Sequence, residues 1–221
     1  MSKEIRNLGI VLCLVLVASF LIYKFVVQSA AVPVNTQTQA PTSSVIPMVS
    51  NVNTAHSFSY GPADAKVTVV EFFDPECESC AKVAPYIKKE MKNFEGRVRW
   101  IFRYMPYHFN SRTAIKVLEA ARKQNLFLEV QNILFEKQGI WGEQRVSTEK
   151  QILEIIAGVK GLDVERIKKD MTDPEFEKII NLDEAEGQRA GVKGTPTFFV
   201  NGVILEQLDL DNLLKRINQQ L

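Results

Sequence analysis

The sequence predicts an α/β protein in which strands and helices follow the order β-α-β, then an all-helical insert, then β-β-α. Two apolar segments rich in β-branched and aromatic residues, Val67–Phe73 and Val98–Tyr104, have the length and composition of buried strands. Near the C-terminus, Thr197–Val200 and Val203–Leu205 flank Asn201-Gly202, the dipeptide most typical of a two-residue hairpin turn. Apolar residues recur at helical spacing between these regions, which indicates a helical insert. We expect the first two strands to run parallel, with the hairpin beside them and helices on both faces of the sheet.

The helices are placed by their start and stop signals. The first is predicted from about Cys77 to Asn93, bent or interrupted at Pro85, because proline cannot donate a helical hydrogen bond. Asp163 and Asp173-Pro174 are typical helix starts, the second with proline at the first helical position. A last helix is predicted over Asp209 to Gln219.

Composition and charge limit the class of protein. The chain has 221 residues and a formal net charge of +1, with 46% hydrophobic and 24% charged residues. This composition supports one folded domain with a real core and argues against wholesale disorder. Domains that bind nucleic acid concentrate lysine and arginine on one face, and this charge pattern does not indicate such a partner. Of the three cysteines, Cys13 lies in an apolar N-terminal stretch. Cys77 and Cys80 therefore form at most one pair, which excludes a scaffold of several disulfides.

Residues 1–27 are predicted to be an N-terminal transmembrane helix or a signal peptide. The uncharged, mostly apolar run Leu8–Tyr23 has 16 residues, and Lys24 near its end can reach the membrane interface. Its length lies between that of a signal-peptide core and that of a membrane span. Lys3 and Arg6 precede the run, which predicts a cytoplasmic N-terminus and an exported remainder. Span length favours a retained anchor, whereas Ser29-Ala30-Ala31 keeps signal cleavage as the alternative.

Residues 28–55 are predicted to be a flexible linker. They are rich in Ser, Thr, Gln, Asn, Val and Pro and carry no charged side chain. The folded domain is then expected over residues 56–221, with the helical insert at about 111–190. We expect this domain in the periplasm or on the outer face of the cell membrane, held by a single-pass anchor. If the signal is cleaved, the domain is instead soluble in the periplasm or secreted.

The most informative feature is a pair of cysteines three positions apart, directly after the strand Val67–Phe73. Cys77 and Cys80 open the segment that is predicted to be the first helix. The N-terminus of a helix carries partial positive charge and free N–H groups, both of which stabilise a thiolate. The second thiol lies about one helical turn further on and can close on the first. The arrangement is therefore suited to thiol–disulfide exchange. A fixed structural disulfide is the alternative, but so short a loop stabilises a fold weakly.

Three motifs in this order resemble the thioredoxin superfamily, specifically its exported DsbA-like thiol:disulfide oxidoreductases. Glu71–Cys80 is similar to the family's strand and active-site segment, with an acid six residues before the first cysteine. Cys80–Pro85 places a proline five residues after the second cysteine, and Gly191–Gly202 is similar to the family's cis-proline loop and hairpin. The resemblance covers about residues 57–220. It implies a thioredoxin fold (β-α-β … β-β-α) interrupted by an inserted all-helical domain.

The resemblance also implies roles for individual residues. Cys77 would be the sulfur that attacks and is attacked, and Cys80 the partly buried resolving thiol. Pro196 would be cis and lie against the cysteine pair, leaving the Thr195 backbone able to pair with an extended substrate. An ordinary trans turn before the strand is the alternative for Pro196.

Three glutamates near the cysteines are expected to affect the acidity of the two thiols. Glu71 lies in mid-strand among apolar neighbours, where a carboxylate is costly. We expect it beneath Cys80 with a raised pKa, moving protons to or from that thiol, unless its side chain reaches the sheet edge and is solvated. Glu78 and Ser79 are expected at the substrate site. They stand where the better-known oxidases of this family carry Pro-His. Glu76 and Glu78 would oppose thiolate formation at Cys77, which favours a less oxidising disulfide.

The predicted function is a protein-disulfide oxidoreductase that exchanges the Cys77–Cys80 disulfide or dithiol with cysteines of exported proteins, with disulfide formation favoured. No cofactor is expected beyond that redox-active pair. A membrane redox partner would recycle it. Reduction or isomerisation of disulfides is the nearer alternative. The more distant one is a chaperone or metal-handling protein without turnover, although His56 and His108 lack metal-ligand spacing.

Overall fold

The structure of the protein is a computed structural model that describes residues 20–24, 55–142 and 144–221. The chain divides into two units, Met1–Ser44 and Val45–Leu221, and residues 20–24 of the first are helical. Most of the predicted N-terminal helix (1–27) and linker (28–55) lies outside the described residues. Where the structure does describe the chain, no helix combines the length and the apolar character needed to cross a bilayer.

A five-stranded mixed sheet forms the centre of the second unit. The strand order is β1-β3-β2-β4-β5. Strands β2 and β3 are parallel, as the sequence predicts, and each of the other neighbouring pairs is antiparallel. The strands are β1 (Phe58–Tyr60), β2 (Val67–Phe73), β3 (Val98–Tyr104), β4 (Thr197–Val200) and β5 (Val203–Ile204).

Helices connect and cover this sheet. One helix links β2 to β3, six lie between β3 and β4, and one follows β5 among the described residues. This order confirms the predicted fold with its helical insertion. The helices are α1 (Glu78–Asn93), α2 (Ser111–Arg122), α3 (Phe127–Glu136), α4 (Gln138–Trp141), α5 (Glu149–Ile156), α6 (Val164–Asp170), α7 (Pro174–Arg189) and α8 (Leu210–Gln220).

Local signals in the sequence explain several element boundaries. Asp163, Asp173 and Asp209 are the N-caps of α6, α7 and α8, and each side chain accepts a hydrogen bond from a backbone N–H of the first turn. The predicted hairpin turn holds Asn201 at φ 48° and Gly202 at φ 81°, the backbone conformation that a tight turn of this kind requires. These boundaries are set by residues a few positions apart.

Apolar side chains pack on both faces of the sheet. On β2, Val67, Val69 and Phe73 belong to the larger hydrophobic cluster, whereas Val70 and Phe72 belong to a second one. The alternation of side chains along a strand therefore sends every second residue of β2 into the larger cluster. That cluster also contains Cys77 and Cys80.

The structure adds two details to the predicted elements. The edge strand β1 pairs with β3 although the sequence does not predict it, because three residues are too few to show alternation. Helix α1 runs uninterrupted through Pro85, so the loss of one backbone donor does not end it. Its first residue is Glu78, and Cys77 occupies the N-cap position rather than the first turn.

Candidate active site

The cysteine pair lies where the C-terminal end of β2 meets α1. The Cys77 N–H donates to the backbone oxygen of Asp74, and the Cys77 backbone oxygen accepts the N–H of Ala81, both at 3.1 Å. These bonds hold Cys77 at the helix start. Its residue surface is 9% exposed, whereas Cys80 is 0% exposed. Both are free thiols, so the structure presents the dithiol form.

The surroundings of Cys77 stabilise its thiolate. The pKa of Cys77 is lowered from 9.0 to about 5, chiefly by a hydrogen bond with the Cys80 thiol. Burial acts in the opposite direction, while hydrogen bonds with Thr195 and with the backbone of Cys80 and Ser79 lower the pKa further. N–H groups at a helix start have this effect because they face a developing negative charge. Cys77 is therefore a thiolate at neutral pH.

The pKa of Cys80 is shifted in the opposite direction. Burial raises its pKa well above 9.0, and so do its hydrogen bond to Cys77 and the negative charges of Glu71 and Cys77. A thiol that stays protonated and buried is a poor first nucleophile and an available donor to its neighbour. The pair is thus asymmetric, with one reactive sulfur near the surface and one protonated sulfur beneath it.

Glu71 lies in the middle of β2 and is 6% exposed. Alternate residues of a strand lie on the same face of the sheet, so Glu71 shares the face of Val69 and Phe73, which is the face that holds the cysteines. Burial raises the pKa of Glu71 to about 8. The side chain also lines a cavity of about 200 Å³, together with Lys88 and Glu129. Of the two sequence-based interpretations, the structure agrees with the buried carboxyl near Cys80 and not with a solvated one at the sheet edge.

The loop before β4 lies against Cys77. The Thr195–Pro196 peptide bond is cis, and Pro196 is buried. The backbone oxygen of Thr195 is 3.3 Å from Cys77 Sγ, within reach of a thiol hydrogen bond. An open groove of about 630 Å³ runs along this loop. It is lined by Ser79, Gly191, Lys193, Gly194, Thr195, Pro196, Thr197, Ile204, Leu205, Glu206 and Leu208.

The two glutamates next to Cys77 make other contacts in the structure. The Glu78 side chain is 57% exposed and pairs with Lys82 at 3.2 Å. Glu76 is buried, and its carboxylate accepts the backbone N–H of Asn110 at 2.6 Å. We expected their charges to oppose the Cys77 thiolate, yet the pKa of Cys77 is lowered. Hydrogen bonds made directly to the sulfur outweigh carboxylates that are screened by solvent or engaged with other groups.

A buried aspartate and a histidine beside the cysteines were missed by sequence reasoning. Asp74 is 0% exposed, and its carboxylate accepts the backbone N–H groups of Glu76 and Tyr107. It also lies 2.7 Å from His108 Nδ1. A signal existed, because Asp74 directly follows β2 and His108 follows β3. Parallel neighbouring strands end at the same edge of a sheet, so polar residues after both ends come together.

Metal binding at the cysteine pair was an alternative reading of the sequence. Across residues 20–24, 55–142 and 144–221, no three or more His, Cys, Asp or Glu side chains are grouped so that they could hold a metal ion. Cys77 instead bonds with Cys80 and Thr195.

Comparison with known families places the chain. Residues 53–219 match the sequence model of a family described as thioredoxin. The match spans most of the chain, and the protein therefore belongs to the thioredoxin family. Within that family it is of the DsbA-like thiol:disulfide oxidoreductase type, as the three sequence motifs predict.

Individual relatives agree with this assignment. The chain is 31% identical over 171 residues to a protein named probable disulfide bond formation protein D of Bacillus anthracis, covering 74% of this chain and 77% of that one. Its fold is similar to the crystal structure of oxidised BdbD from Bacillus subtilis, with a TM-score of 0.67 at 28% identity, covering 75% and 92% of the two chains. It is also 32% identical over 142 residues (64% of this chain) to a Na(+)/H(+) antiporter NhaA of Herminiimonas arsenicoxydans. The chain spans only about a fifth of the length of that antiporter and its relatives, with 22% covered.

Proposed function

We propose that this protein is an exported, membrane-tethered disulfide donor that oxidises cysteine pairs of other exported proteins. The observation that carries the direction of the reaction is the unequal acidity of its two thiols. The pKa of Cys77 is about 5, and that of Cys80 lies well above 9.0. A stable thiolate stabilises the reduced form of the pair. The corresponding disulfide is then a stronger oxidant.

The reaction takes two exchange steps. A client thiolate attacks Cys77 Sγ of the disulfide, and the Cys77–Cys80 bond breaks with its electron pair going to Cys80. Glu71 is protonated at neutral pH because its pKa is about 8, so its carboxyl can give a proton to the Cys80 sulfur and regain one from the adjoining cavity. The second client thiolate then attacks the client sulfur of the mixed disulfide. Cys77 leaves as the thiolate, the client gains a disulfide, and the enzyme holds the dithiol.

The groove beside Thr195 suits an extended client segment. Ser79 and Pro196 lie on its walls, with Lys193 and Glu206 adding one charge of each sign. A client cysteine seated there would lie next to Cys77, since the Thr195 oxygen is 3.3 Å from Cys77 Sγ. The mixture of apolar and oppositely charged lining groups favours clients of varied sequence over one fixed motif. Glu78 is not among the residues that line this groove; its side chain is 57% exposed and pairs with Lys82.

The proposal also includes the compartment of the folded domain and the reoxidation of its cysteine pair. The basic residues Lys3 and Arg6 before an apolar run support a cytoplasmic N-terminus and an anchored, extracytoplasmic domain. Disulfides form and persist in that compartment. Each round leaves Cys77 as the thiolate and Cys80 as the thiol, so a membrane-bound oxidant must remove two electrons and one proton to restore the disulfide.

Two measurements on the full-length protein test the proposal. Equilibration with a glutathione series gives the reduction potential of the pair, with Cys77→Ser as control. We expect a value of about −120 mV, typical of a strong oxidant, whereas about −270 mV would mean that the protein reduces its clients. The Cys80→Ser variant should accumulate mixed disulfides between Cys77 and exported proteins, and Cys77→Ser should not. Equal accumulation in both variants would contradict the assigned roles.

A further inference from the structure

A cavity of about 200 Å³ lies between α1 and α3 on the face of the sheet that holds the cysteines. It shares no lining residue with the groove beside Thr195, so it is a separate site. Its walls are mostly apolar side chains, contributed by both helices and by β3: Ile87, Met91, Phe102, Leu128 and Phe135. Apolar walls favour the carbon skeleton of a ligand over water, because water loses hydrogen bonds there.

The rim of this cavity is positively charged. Lys88 and Lys92 are four positions apart on α1, so they lie on one side of that helix, and both line the cavity. Both residues are exposed, and neither has an ion-pair partner among the described residues. Glu129 of α3 also lines the cavity, which leaves the two lysines and this glutamate with a net charge of +1. A ligand that carries one negative charge complements this rim.

Glu71 adds no charge to the cavity at neutral pH. It lines the cavity and is 6% exposed, and burial raises its pKa to about 8. Its carboxyl is therefore protonated at pH 7 and does not repel an anion at the rim. The volume sets the size of the ligand, since an apolar cavity of about 150 Å³ accommodates benzene. A cavity of about 200 Å³ then has room for an apolar body of about eight carbons.

We propose that this cavity is a binding site for a small monocarboxylic acid with an apolar body of about eight carbons. The carboxylate lies at Lys88 and Lys92, and the body lies among the apolar walls with its far end against Glu71. A bound ligand therefore excludes solvent from the Glu71 carboxyl. Because Glu71 regains its proton from this cavity, occupancy slows thiol exchange at the Cys77–Cys80 pair. The effect on exchange rests on the proposed function, whereas the binding site does not.

The test is an NMR titration of the reduced full-length protein at pH 7, with isotope-labelled methionine methyl groups. Phenylpropanoate, phenylpropanol and phenylpropylamine share an aromatic ring and a short chain, and they carry a negative, a neutral and a positive head group. We expect phenylpropanoate to shift the Met91 signal with a Kd of about 0.1–1 mM. The Met105 signal, from the second hydrophobic cluster, should not shift. Phenylpropanol should bind about threefold to tenfold more weakly, and phenylpropylamine more weakly still.

Variants of α1 separate the charged rim from the apolar walls. In the double variant Lys88→Gln/Lys92→Gln, phenylpropanoate should bind no better than phenylpropanol. Lys89→Gln is the matched control, since Lys89 is an exposed lysine of the same helix that does not line the cavity, and it should keep the preference for the acid. Ala84→Leu places a larger apolar side chain in the cavity and should weaken all three ligands about tenfold.

The outcomes distinguish the binding site from the proposed function. A Met91 signal that does not move at ligand concentrations well above the expected Kd would overturn the site. Equal affinity for the acid and the alcohol would overturn it too, as would a preference that survives loss of both lysines. Saturation with phenylpropanoate should slow client oxidation about tenfold in wild type. Binding without slower oxidation would refute the effect on exchange. If the ligands bind as expected but the protein oxidises no client, the proposed function fails and the site stands.

Discussion

The pKa of Cys77 predicts how the stability of the reduced protein changes with pH. Its value of about 5 in the folded protein compares with an ordinary value of 9.0. A depressed pKa contributes stability that is complete above the unfolded value and is lost as the pH falls through the folded one. At pH 7 the thiolate is about two units above its folded pKa, which corresponds to a contribution of about 3 kcal/mol. At pH 4 that contribution is gone.

The measurement is urea unfolding of the reduced protein at pH 7 and pH 4, beside Cys77→Ser. Because the two proteins share every other titrating group, the difference between them isolates Cys77. We expect wild type to lose about 3 kcal/mol more than the variant between the two pH values. In thermal unfolding this is a difference of about 5–10 °C for a chain of this size. The oxidised protein should lack the effect, since a disulfide cannot ionise. An equal loss in the reduced proteins would refute the assignment of a stabilised thiolate.

Three further predictions concern buried polar groups. Glu71→Gln should stabilise the protein at pH 7 by up to about 3 kcal/mol, because a buried carboxyl whose pKa is raised to about 8 lowers the free energy of unfolding as the pH rises from about 4.5. The same variant should slow thiol exchange about tenfold or more in stopped-flow assays. Asn110→Ala removes the acceptor of the Thr148 N–H and should cost about 2–3 kcal/mol in urea unfolding. Arg103→Leu should cost about 3–5 kcal/mol, because Asp183 keeps a buried charge without its closest cation, and a loss below about 1 kcal/mol would count against that account.

Local sequence signals predicted the parts of the fold that depend on neighbouring residues. The hairpin at Asn201-Gly202 and the helix start at Asp173-Pro174 are set within a few positions, and both are found as predicted. The edge strand at Phe58–Tyr60 was missed because its pairing with β3 depends on a partner some forty residues away. The burial of Glu71 could be anticipated from its apolar neighbours, since a mid-strand residue in a sheet covered on both faces is enclosed.

Only part of the candidate active site could be predicted from the sequence. Its cysteines could be located because the Cys-x-x-Cys spacing is short, and the loop at Thr195-Pro196 because its flanking motif is long. The contact between Asp74 and His108 could not be located from spacing, since it spans 34 positions and exists only once β2 and β3 are in register. The effect of Glu76 and Glu78 on the pKa of Cys77 could not be predicted from the sequence either. Whether a carboxylate next to a cysteine affects it depends on which hydrogen bonds the carboxylate already makes.

These contacts bear on what sets the redox character of such a site. Glu78, between the cysteines, is 57% exposed and paired with Lys82, so solvent and a cation screen its charge. By contrast, the groups that lower the pKa of Cys77 act on the sulfur directly: the Cys80 thiol, Thr195 and the N–H groups of the helix start. Exchanging Glu78-Ser79 for neutral residues should therefore change the potential little. The acidity of Cys77 then follows from the position of its sulfur, at the start of α1 and against the Thr195 loop, as much as from the residues that its cysteines enclose.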